Sequence, residues 1–576
     1  MAQSISRRSF VTGMAASAAA GCTLAAGTAA ADQPAAPQTA DQQVPWSFEI
    51  APDPVDESLI SDTIEADVVV IGSGPSGLVT ALSCLQNGVD VVLFSASSRP
   101  MGRGGSHQAF GSSYQKEMGI DYDPTAEAMK RTVRMEQHGA SYMTDQKKWS
   151  RWIANSGASM DWMIDIMRSH GLSLMLEPGY DDPEGLLTTP PSSHCFYTDE
   201  MPMGPVTGAP LASQAFADEY TAAGGMLHYD TVAKYLERED GGRVSAAVAQ
   251  RADGTYVRYV GRKAVVLATG DFSRDRDMMA RYCPWAYDVF KDTIEFDKVD
   301  YNTGDSFSGI YPGDGHKMGL WVGAAWQHNG AAAAMVNGGG LGPKDHYAAN
   351  FWGINLDRNG KRFMNEVTNF AYGAWSILMN PGRNAYLVWD SEYARKRDEW
   401  IDWGCAYGNV NGMLPRTPEE EVARWEAQVE AGNWCKADTL EDLLTQLEGI
   451  DATEALASIE RYNAYAEQGY DEEFQVAPEA LRPIKTAPFY GVKTKISDDF
   501  SGGSVPCFLT VCGGLRTDEH MRVCDADDQP IEGLYNVGIM TGDFYSGCYS
   551  FAVFGQNLGC CCLTLPWLLG QELAAL

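Results

Sequence analysis

The amino-acid sequence predicts an α/β fold with a Rossmann-like domain built on a parallel β-sheet. A continuous apolar run, Val68–Ile71, suits a strand that is buried on both faces of such a sheet. A glycine-rich turn (72–77) and an Ala/Leu-rich helix follow, and then a second apolar strand, Val91–Phe94. The chain has 576 residues, of which 45% are hydrophobic, so it is long enough to form two or more domains.

The turn has the spacing G-x-G-x-x-G at Gly72, Gly74 and Gly77, with Ser73 and Ser76 between the glycines. Glycine at these positions lets the backbone turn tightly and approach a pyrophosphate. The free N–H groups and the dipole of the following helix stabilise that anion. Between a strand and a helix, this spacing predicts a dinucleotide site.

The end of the second strand departs from the usual dinucleotide pattern. Ser95 stands where an acidic residue would bind the ribose hydroxyls, and a serine forms weaker hydrogen bonds. Ribose recognition must therefore involve neighbouring residues. No second G-x-G-x-x-G follows a strand, because "NGGGLGP" (337–343) lacks the strand–helix frame, so one dinucleotide site is predicted.

The N-terminal residues 1–31 have the pattern of a twin-arginine export signal. Arg7 and Arg8 precede an Ala/Gly-rich run that is too short and too weakly apolar for a membrane span. A disordered Ala-rich tail and a lipoprotein cleavage site ending at Cys22 are the alternatives. The signal predicts a tightly bound prosthetic group and a location in the periplasm or on the outer face of the cytoplasmic membrane. The proline-rich residues 32–61 are predicted to be a linker outside the fold.

Charge and cysteine content argue against several classes of protein. A formal charge of -33 opposes non-specific nucleic-acid binding, which requires a basic surface. The 13 cysteines include no C-x-x-C, no haem-attachment motif and no paired zinc spacing, so no metal site is predicted. Neighbouring residues on a helix point about 100° apart, so Cys560, Cys561 and Cys562 cannot converge on one metal ion. These cysteines are predicted to be buried packing residues.

Further stretches of the chain match one family. They are "GRGGSHQAFGSS" (102–113), "GRKAVVLATGDFSRDRDMM" (261–279), "GDGHKMGLWVGA" (313–324), "DRNGKRFMNE" (357–366), "GRNAYLVWD" (382–390) and "CGGLRTD…IEGLYNVGIMTGDFYSG" (512–547). With these motifs the chain resembles the FAD-binding flavoprotein family of fumarate reductases, urocanate reductase and 3-ketosteroid dehydrogenases.

The resemblance implies FAD as the cofactor and a discontinuous FAD-binding domain, residues 62–325 and 488–576. An α+β capping domain is inserted at 326–487. The helical periodicity of residues 415–468 agrees with such a cap. Arg362 and Arg383 are predicted to hold the cap together and not to act in catalysis.

The resemblance and the glycine-rich turn together imply which residues hold FAD. These are Gly72, Ser73, Gly74, Ser76, Gly77, Ser95, Gly104, Gly105, Ser106, Val232, Ala268, Thr269, Gly270, Gly538, Asn557 and Leu558. The segment "GQNLG" (555–559) is expected to present backbone N–H groups at the start of the last helix to the pyrimidine edge of the flavin.

The resemblance also implies hydride transfer from reduced flavin to an activated C=C bond. Fumarate reductases clamp the substrate carboxylates with arginines and histidines, and one arginine serves as the acid. In an ungapped comparison Ala349 takes the place of the acid arginine, Tyr549 that of a histidine and Val553 that of a clamping arginine. Each charged hydrogen bond contributes roughly 1.5–3 kcal/mol. The loss of two cations therefore argues against fumarate and succinate as substrates.

Aromatic and apolar residues replace the missing cations. The predicted substrate wall consists of Phe544, Tyr545, Tyr549, Phe551, Val553 and Phe554, with Phe351 and Trp352 from the cap. Such a wall suits a flat, neutral or hydrophobic enone that is steroid-like or aryl-acrylate-like. Tyr549 is the predicted proton donor, because its phenol can polarise a carbonyl or deliver a proton. Tyr545, His346 and Tyr347 are the alternatives.

The chain contains no haem motif and no sequence for covalent flavin attachment, so its electrons must come from another protein. By resemblance the donor is an exported cytochrome c or a quinol-oxidising membrane subunit, as in anaerobic respiration. Two alternatives remain open. One is a 3-ketosteroid-type dehydrogenase that passes electrons outward, and the other is a non-catalytic electron-transfer or ligand-binding flavoprotein subunit.

Overall fold

The computed structural model describes twelve segments of the chain. They are 45–120, 127–177, 180–181, 188–189, 191–201, 208–303, 310–339, 353–367, 370–396, 417–494, 504–549 and 555–576. The chain divides into two units, Met1–Pro45 and Trp46–Leu576, and the helices and strands that are described all lie in the second unit.

The strands follow one another along the chain and are numbered in that order. They are β1 Ile60–Ile71, β2 Val91–Phe94, β3 Ser106–Gln108, β4 Ser173–Leu176, β5 Tyr180–Asp181, β6 Thr188–Thr189, β7 Ser193–Tyr197, β8 Met226–His228, β9 Thr231–Arg238, β10 Val244–Arg251, β11 Tyr256–Leu267, β12 Ala332–Gly339, β13 Ile354–Leu356, β14 Tyr386–Asp390, β15 Cys435–Ala437, β16 Phe489–Lys493, β17 Ser504–Cys512, β18 Arg522–Cys524, β19 Pro530–Asn536 and β20 Cys548–Tyr549.

The α-helices are numbered in the same way. They are α1 Pro75–Gln86, α2 Ser113–Glu117, α3 Glu127–Gly139, α4 Gln146–Ser169, α5 Gly208–Ala222, α6 Arg276–Tyr282, α7 Pro284–Phe290, α8 Asp314–Trp321, α9 Phe370–Leu378, α10 Pro418–Glu430, α11 Leu440–Gln446, α12 Ala452–Gln468, α13 Gln556–Gly559 and α14 Leu565–Ala574.

The predicted parallel sheet is confirmed. Its strands run in the order β18-β19-β11-β1-β2-β8, and β19, β11, β1, β2 and β8 form a parallel set. Strands β9 and β10 extend it in the antiparallel sense. Residues Val68–Ile71 are at most 3% exposed, as the continuous apolar run requires. Strand β2 has the predicted bounds, and α1 connects it to β1 in the order of a βαβ unit.

Part of the predicted linker is folded, so that prediction is wrong for residues 46–61. Strand β1 already begins at Ile60. Upstream, Phe48 is 1% exposed and its ring lies 5.4 Å from the ring of Tyr282. The Phe48 carbonyl accepts a hydrogen bond from Trp321 Nε1 at 2.8 Å. Burial of this aromatic side chain fixes the segment despite its prolines, which only remove backbone donors.

A second hydrophobic core extends from residue 354 to residue 492. It contains the antiparallel sheet β13-β14-β16-β15 together with α10, α11 and α12. Thr417 forms a capping box at the start of α10, and Asp451 caps α12, so the helices predicted within 415–468 are confirmed.

The boundaries predicted for the cap, 326 and 487, differ from the limits of this core. Strand β16 follows residue 487, yet it supplies Phe489, Tyr490 and Val492 to the core. At the other end, β12 pairs with β17 and β20 in a separate three-stranded sheet. The described part of the cap core therefore begins at β13 and includes β16.

Arg362 lies inside this core and has the structural role that was predicted. Its side chain is 1% exposed and donates hydrogen bonds to Glu366 (2.7 and 2.9 Å) and Asp471 (2.9 Å). The guanidinium carbon also lies 5.0 Å from the ring centroids of Tyr462 and Phe474. Arg383 differs, since it pairs with Asp288 of α7, outside the cap core.

We expect Arg362→Ala to destabilise the cap by about 3–5 kcal/mol, because it leaves buried carboxylates without their cation. Urea unfolding followed by tryptophan fluorescence measures this, since Trp389, Trp425 and Trp434 are all buried in the same core. The matched control is Arg461→Ala, whose side chain is 41% exposed and should contribute less than about 1 kcal/mol. Equal midpoints for the two variants would contradict the structural role of Arg362.

Among the described residues, no helix is long and apolar enough to cross a lipid bilayer. The same residues contain no group of three or more His, Cys, Asp or Glu side chains placed to hold a metal ion.

Candidate active site

A large cavity lies at the carboxyl ends of β1, β2 and β11. Ile71 ends β1, Ser95 follows β2 and Ala268 follows β11, and all three residues line the cavity. In open α/β sheets, ligands bind at this edge of the parallel strands. The glycine-rich turn, the loop 101–106 and the start of α13 complete the wall. Segments that are distant in the sequence therefore converge on one cavity.

The glycine-rich turn leaves space at the N-terminus of α1. Gly72 has a φ of +113°, which is accessible mainly to glycine. A Cβ atom on Gly77 would lie 1.9 Å from the carbonyl oxygen of Gly72, so the helix packs directly on the turn. A Cβ atom on Gly74, by contrast, would meet no protein atom within 4 Å, and Gly74 lines the cavity. This open helix N-terminus is suited to an anion.

Three serines lie together at the end of β2. The hydroxyl of Ser73 is 2.9 Å from that of Ser95 and 3.1 Å from that of Ser97, and Ser95 and Ser97 are 2.9 Å apart. All three residues line the cavity. The neighbours on which ribose recognition was expected to depend are thus Ser73 and Ser97. The sequence analysis missed Ser97, although "SASS" (95–98) directly follows the strand.

A fixed cation forms another part of the cavity wall. Arg103 Nη2 donates a hydrogen bond to Asp271 at 3.2 Å, and the guanidinium carbon lies 5.1 Å from the centroid of the Tyr311 ring. Asp271 is fully buried and also accepts hydrogen bonds from Ser273 (3.1 Å from N, 2.8 Å from Oγ) and from Thr510 Oγ1. Arg103 Nη1 is buried and has no hydrogen-bond partner among the described residues.

The sequence analysis also missed Arg103 and Asp271. Asp271 occupies the fourth position of the "ATGD" turn (268–271), and a carboxylate buried at that position requires a nearby cation. The acidic residue in this turn could have indicated a nearby cation, but the sequence alone did not identify which arginine supplies it.

We expect Arg103→Gln to destabilise the protein and to weaken retention of the cofactor. Loss of the cation leaves Asp271 buried and uncompensated, and the effect should be near the lower end of about 3–5 kcal/mol, because Arg103 is 16% exposed. Thermal unfolding and the ratio of bound flavin to protein measure the two effects. Replacing Asp271 with Asn in the same chain should recover most of the stability. A double variant as unstable as Arg103→Gln would contradict the pairing.

Most of the residues predicted to bind the cofactor line the cavity. They are Gly72, Ser73, Gly74, Ser76, Ser95, Gly104, Gly105, Ser106, Ala268, Thr269, Gly270, Asn557 and Leu558. Further lining residues that were not predicted include Thr231, Ala233, Tyr301, Tyr311 and Asp314.

Three predicted cofactor ligands do not line the cavity. Gly77 packs against the turn, as described above. Gly538 has a φ of +86°, and a Cβ atom there would lie 2.5 Å from Ser76 Oγ, so its role is close packing behind the turn. Val232 lies between Thr231 and Ala233 on β9, and because successive side chains of a strand point to opposite faces, its neighbours line the cavity instead.

The segment 555–559 borders the cavity as predicted, through Gly555, Asn557 and Leu558. A Cβ atom on Gly559 would lie 1.9 Å from the carbonyl oxygen of Gln108, so α13 packs tightly on β3. The buried Asn557 Oδ1 has no hydrogen-bond partner among the described residues.

The three consecutive cysteines lie in one π-helical turn, Cys560–Thr564, between α13 and α14. Cys560 and Cys561 are buried in the hydrophobic core that also contains residues of β1 and α1, so packing is confirmed for these two residues. Cys562 lines the cavity, and the prediction that all three only pack is therefore incomplete. The wider helical turn changes the direction of the side chains relative to a regular α-helix.

Two tyrosines stand together where the cavity wall meets the hydrophobic core. Tyr549 lines the cavity, and its ring centroid lies 4.7 Å from that of Tyr545. The Tyr545 hydroxyl is buried and has no hydrogen-bond partner within the described ranges. Burial raises the pKa of both phenols well above the ordinary tyrosine value, so both keep their protons at neutral pH.

The predicted aromatic wall is only partly described. Phe544 is fully buried, stacks on Trp149 at 4.6 Å and does not line the cavity, so it is a core residue. Apart from Tyr545 and Tyr549, the remaining predicted wall residues and candidate donors lie outside the described residues, namely His346, Tyr347, Phe351, Trp352, Phe551, Val553 and Phe554. Ala349, which takes the place of the acid arginine, lies outside them as well.

These features fit a dinucleotide. The backbone at Gly74 is open to an anion, and the hydroxyls of Ser73, Ser95 and Ser97 are clustered where a ribose is recognised. Arg103 and Asn557 carry buried polar atoms without partners among the described residues, and both residues line the cavity. Buried polar atoms of this kind require a partner, which a bound dinucleotide provides.

Similarity to known proteins identifies the dinucleotide as FAD. The family described as FAD binding domain matches residues 67–552. The vinyl phenol reductase of Lactiplantibacillus plantarum is 25% identical, over 86% of this chain and 95% of that protein. A fumarate reductase (cytochrome) of Shewanella frigidimarina is 24% identical, over 89% of this chain and 77% of that protein.

Among solved structures, the 3-ketosteroid-Δ4-(5α)-dehydrogenase from Rhodococcus jostii has a similar fold. The TM-score is 0.66 at 21% sequence identity, covering 90% of this chain and 99% of that chain. The predicted α/β FAD-binding fold and the FAD cofactor are thus confirmed. The chain belongs to the FAD binding domain family and is an FAD-dependent oxidoreductase of the group that acts on CH–CH bonds, related to the fumarate reductases and 3-ketosteroid dehydrogenases.

Proposed function

We propose that the protein is an exported FAD-dependent reductase that saturates an activated C=C bond in a neutral, hydrophobic small molecule. The observation that carries this proposal is the buried phenol of Tyr549 at the wall of the FAD cavity, with the ring of Tyr545 packed against it from the protein core. A phenol donates a hydrogen bond without a formal charge, so it suits a carbonyl or an aryl vinyl group better than a dicarboxylate.

Bound FAD, once reduced, supplies the hydride that is added to one carbon of the double bond. The residues of the chain bind the cofactor and provide the proton. The open N-terminus of α1 binds the pyrophosphate, and the serines at the end of β2 bind the ribose. Tyr549 donates its hydroxyl proton to the second carbon and recovers a proton from solvent. The Tyr545 hydroxyl lies outside the cavity lining and interacts with the Tyr549 hydroxyl, so its role is to orient that donor.

The similarity to a vinyl phenol reductase supports an aryl-substituted vinyl compound as the substrate class. The cavity lining agrees, because Leu509 and Ile539 add apolar surface to it. We therefore place 4-vinylphenol and simple aryl enones ahead of fumarate as substrates.

We further propose that electrons arrive from a cytochrome c or a quinol-oxidising membrane subunit outside the cytoplasm. The relative named fumarate reductase (cytochrome) supports such a donor. The twin-arginine pattern of residues 1–31 supports export, and these residues lie outside the described ranges.

An anaerobic assay with the purified holoenzyme tests the proposal. The flavin is reduced with a viologen dye, and oxidation of the dye is followed after addition of 4-vinylphenol, an aryl enone or fumarate. We expect rapid dye oxidation with one of the first two compounds and none with fumarate. Turnover of fumarate would contradict the proposal. Bleaching of oxidised flavin by a saturated ketosteroid, without turnover of any alkene, would instead favour a dehydrogenase.

A further inference from the structure

A buried carboxyl group lies directly behind the wall of the FAD cavity. Ser106, at the start of β3, lines the cavity, and its hydroxyl donates a hydrogen bond to Glu177 Oε1 at 2.8 Å. The Ser106 oxygen also accepts a hydrogen bond from the thiol of Cys195 at 3.7 Å. Glu177 directly follows β4, and its backbone N–H donates to the Ser193 carbonyl on β7 at 2.9 Å. The carboxyl group is therefore connected to the cavity through one hydroxyl.

Glu177 has no cationic partner among the described residues. The residue is 4% exposed, and its Oε2 atom has no hydrogen-bond partner within the same residues. Burial without a counter-charge disfavours the ionised form of a carboxyl group. Burial accordingly raises the pKa of Glu177 to about 7, although hydrogen bonds from Ser106, Cys195 and Ser193 oppose this rise.

Several other titratable groups surround Glu177. On the neighbouring elements they are His107 on β3, His194, Cys195 and Tyr197 on β7, and Tyr114 on α2. Burial lowers the pKa of His107 to about 3 and that of His194 to about 4, so both are neutral at pH 7. Burial raises the pKa of the Cys195 thiol well above its ordinary value. The charged side chain on the adjoining loop, Arg103, is bound to Asp271.

The two protonation states of Glu177 present different groups to the cavity. When Glu177 is ionised, the single proton of the Ser106 hydroxyl is held by the carboxylate, and only an oxygen lone pair remains for the cofactor. When Glu177 is protonated, its carboxyl group can donate to Ser106. The Ser106 proton is then free to turn towards the cavity as a donor.

Ser106 lies beside the segment 555–559, which is expected to border the flavin ring. A Cβ atom on Gly555 would lie 2.6 Å from the Ser106 carbonyl oxygen, and Gly555 immediately precedes α13. In the same loop as Ser106, a Cβ atom on Gly104 would lie 3.1 Å from Cδ1 of Leu558 in α13. The loop that carries Ser106 and the helix start therefore form one continuous wall.

We propose that Glu177 is a positioning residue that determines, through Ser106, whether this wall offers the flavin a hydrogen-bond donor, and that it thereby links flavin reduction to pH. Reduction adds two electrons from the donor to the flavin, and a hydrogen-bond donor stabilises the negative charge that develops. Reduction therefore strengthens proton binding at Glu177, which takes up a proton from solvent. By linkage, protonation of Glu177 raises the midpoint potential.

Spectroelectrochemical titration of the holoenzyme between pH 5.5 and pH 9 tests the proposal without any substrate. We expect the midpoint potential of the wild-type flavin to fall more steeply with pH around neutrality than on either side. Glu177→Gln keeps an uncharged donor beside Ser106. The midpoint potential of the flavin in this variant should therefore equal that of the wild type at pH 5.5 and exceed it at pH 9. Its dependence on pH should show no steep region. Ser106→Ala should also lack the steep region. Glu239→Gln, an exposed control, should follow the wild type.

Parallel curves for the wild type and Glu177→Gln would overturn the proposal. A steep region that persists in Ser106→Ala would overturn it as well, and this comparison remains available if Glu177→Gln does not fold. Because only potentials are measured, the result does not depend on which alkene the enzyme reduces. The failure of this inference can thus be distinguished from that of the proposed function.

Discussion

In a Tyr549→Phe variant, we expect reoxidation of the reduced flavin by a hydrophobic alkene to slow by about 10²–10⁴-fold, the usual contribution of a positioned general acid. The ring remains, so packing against Tyr545 and flavin content should not change. The variant loses the proton that the cavity wall supplies, together with the interactions of the hydroxyl with the Asn557 backbone and with Tyr545. Anaerobic stopped-flow absorbance with 4-vinylphenol measures the rate, and the ratio of bound flavin to protein checks that the cofactor is retained.

Two further variants locate the proton donor. Tyr545→Phe removes the neighbouring hydroxyl and should have a smaller effect, because Tyr545 does not line the cavity. Tyr142→Phe alters an exposed tyrosine, which is 48% accessible, and should leave the rate unchanged. A Tyr549→Phe enzyme as fast as the wild type would refute the assignment of Tyr549 as the acid.

Gly77→Ala should abolish FAD loading and destabilise the fold. The new Cβ atom would lie 1.9 Å from the Gly72 carbonyl oxygen, which is a backbone atom that cannot rotate away. Helix α1 must therefore move off the turn, at a cost above the ~1–3 kcal/mol typical of overpacking. The flavin absorbance of the purified protein and its thermal unfolding temperature measure the two effects.

Gly74→Ala separates cofactor binding from folding at the same turn. Its Cβ atom meets no protein atom within 4 Å, so the thermal stability of the protein without FAD should be unchanged. The methyl group projects into the space for the pyrophosphate. We expect FAD affinity to fall by about 10- to 100-fold, equivalent to one lost charged hydrogen bond. Gly139→Ala, which also has open space, is the neutral control. Equal FAD affinity in all three proteins would contradict the placement of the pyrophosphate.

The core of the FAD-binding domain could be predicted because its signals are local in the sequence. The apolar run of β1, the glycine spacing and the second strand lie within 30 residues, and each constrains the backbone directly. The capped helices α10 and α12 were predictable for the same reason, since Thr417 and Asp451 act on the turn that follows them.

Contacts between distant segments were not predictable from the residues alone. Arg103 and Asp271 are separated by 168 positions, and only the fold shows that they pair. The same is true of Ser106 and Glu177, which are 71 positions apart. Phe544 resembled a substrate contact because it lies beside Tyr545, but its ring stacks on Trp149 of α4 instead. The proline-rich segment before β1 looked like a linker, because its sequence does not reveal the pocket that buries Phe48.

We propose above that a hydrophobic alkene is reduced in this cavity with Tyr549 as the acid. A single-turnover experiment tests it most directly: the fully reduced holoenzyme is mixed anaerobically with one equivalent of 4-vinylphenol, and flavin absorbance and products are measured together. We expect one flavin to be reoxidised for each saturated product formed, with little reoxidation by fumarate and slow reoxidation in Tyr549→Phe. Reoxidation by fumarate, or a reduced flavin that stays unchanged with every vinyl and enone compound, would contradict the claim.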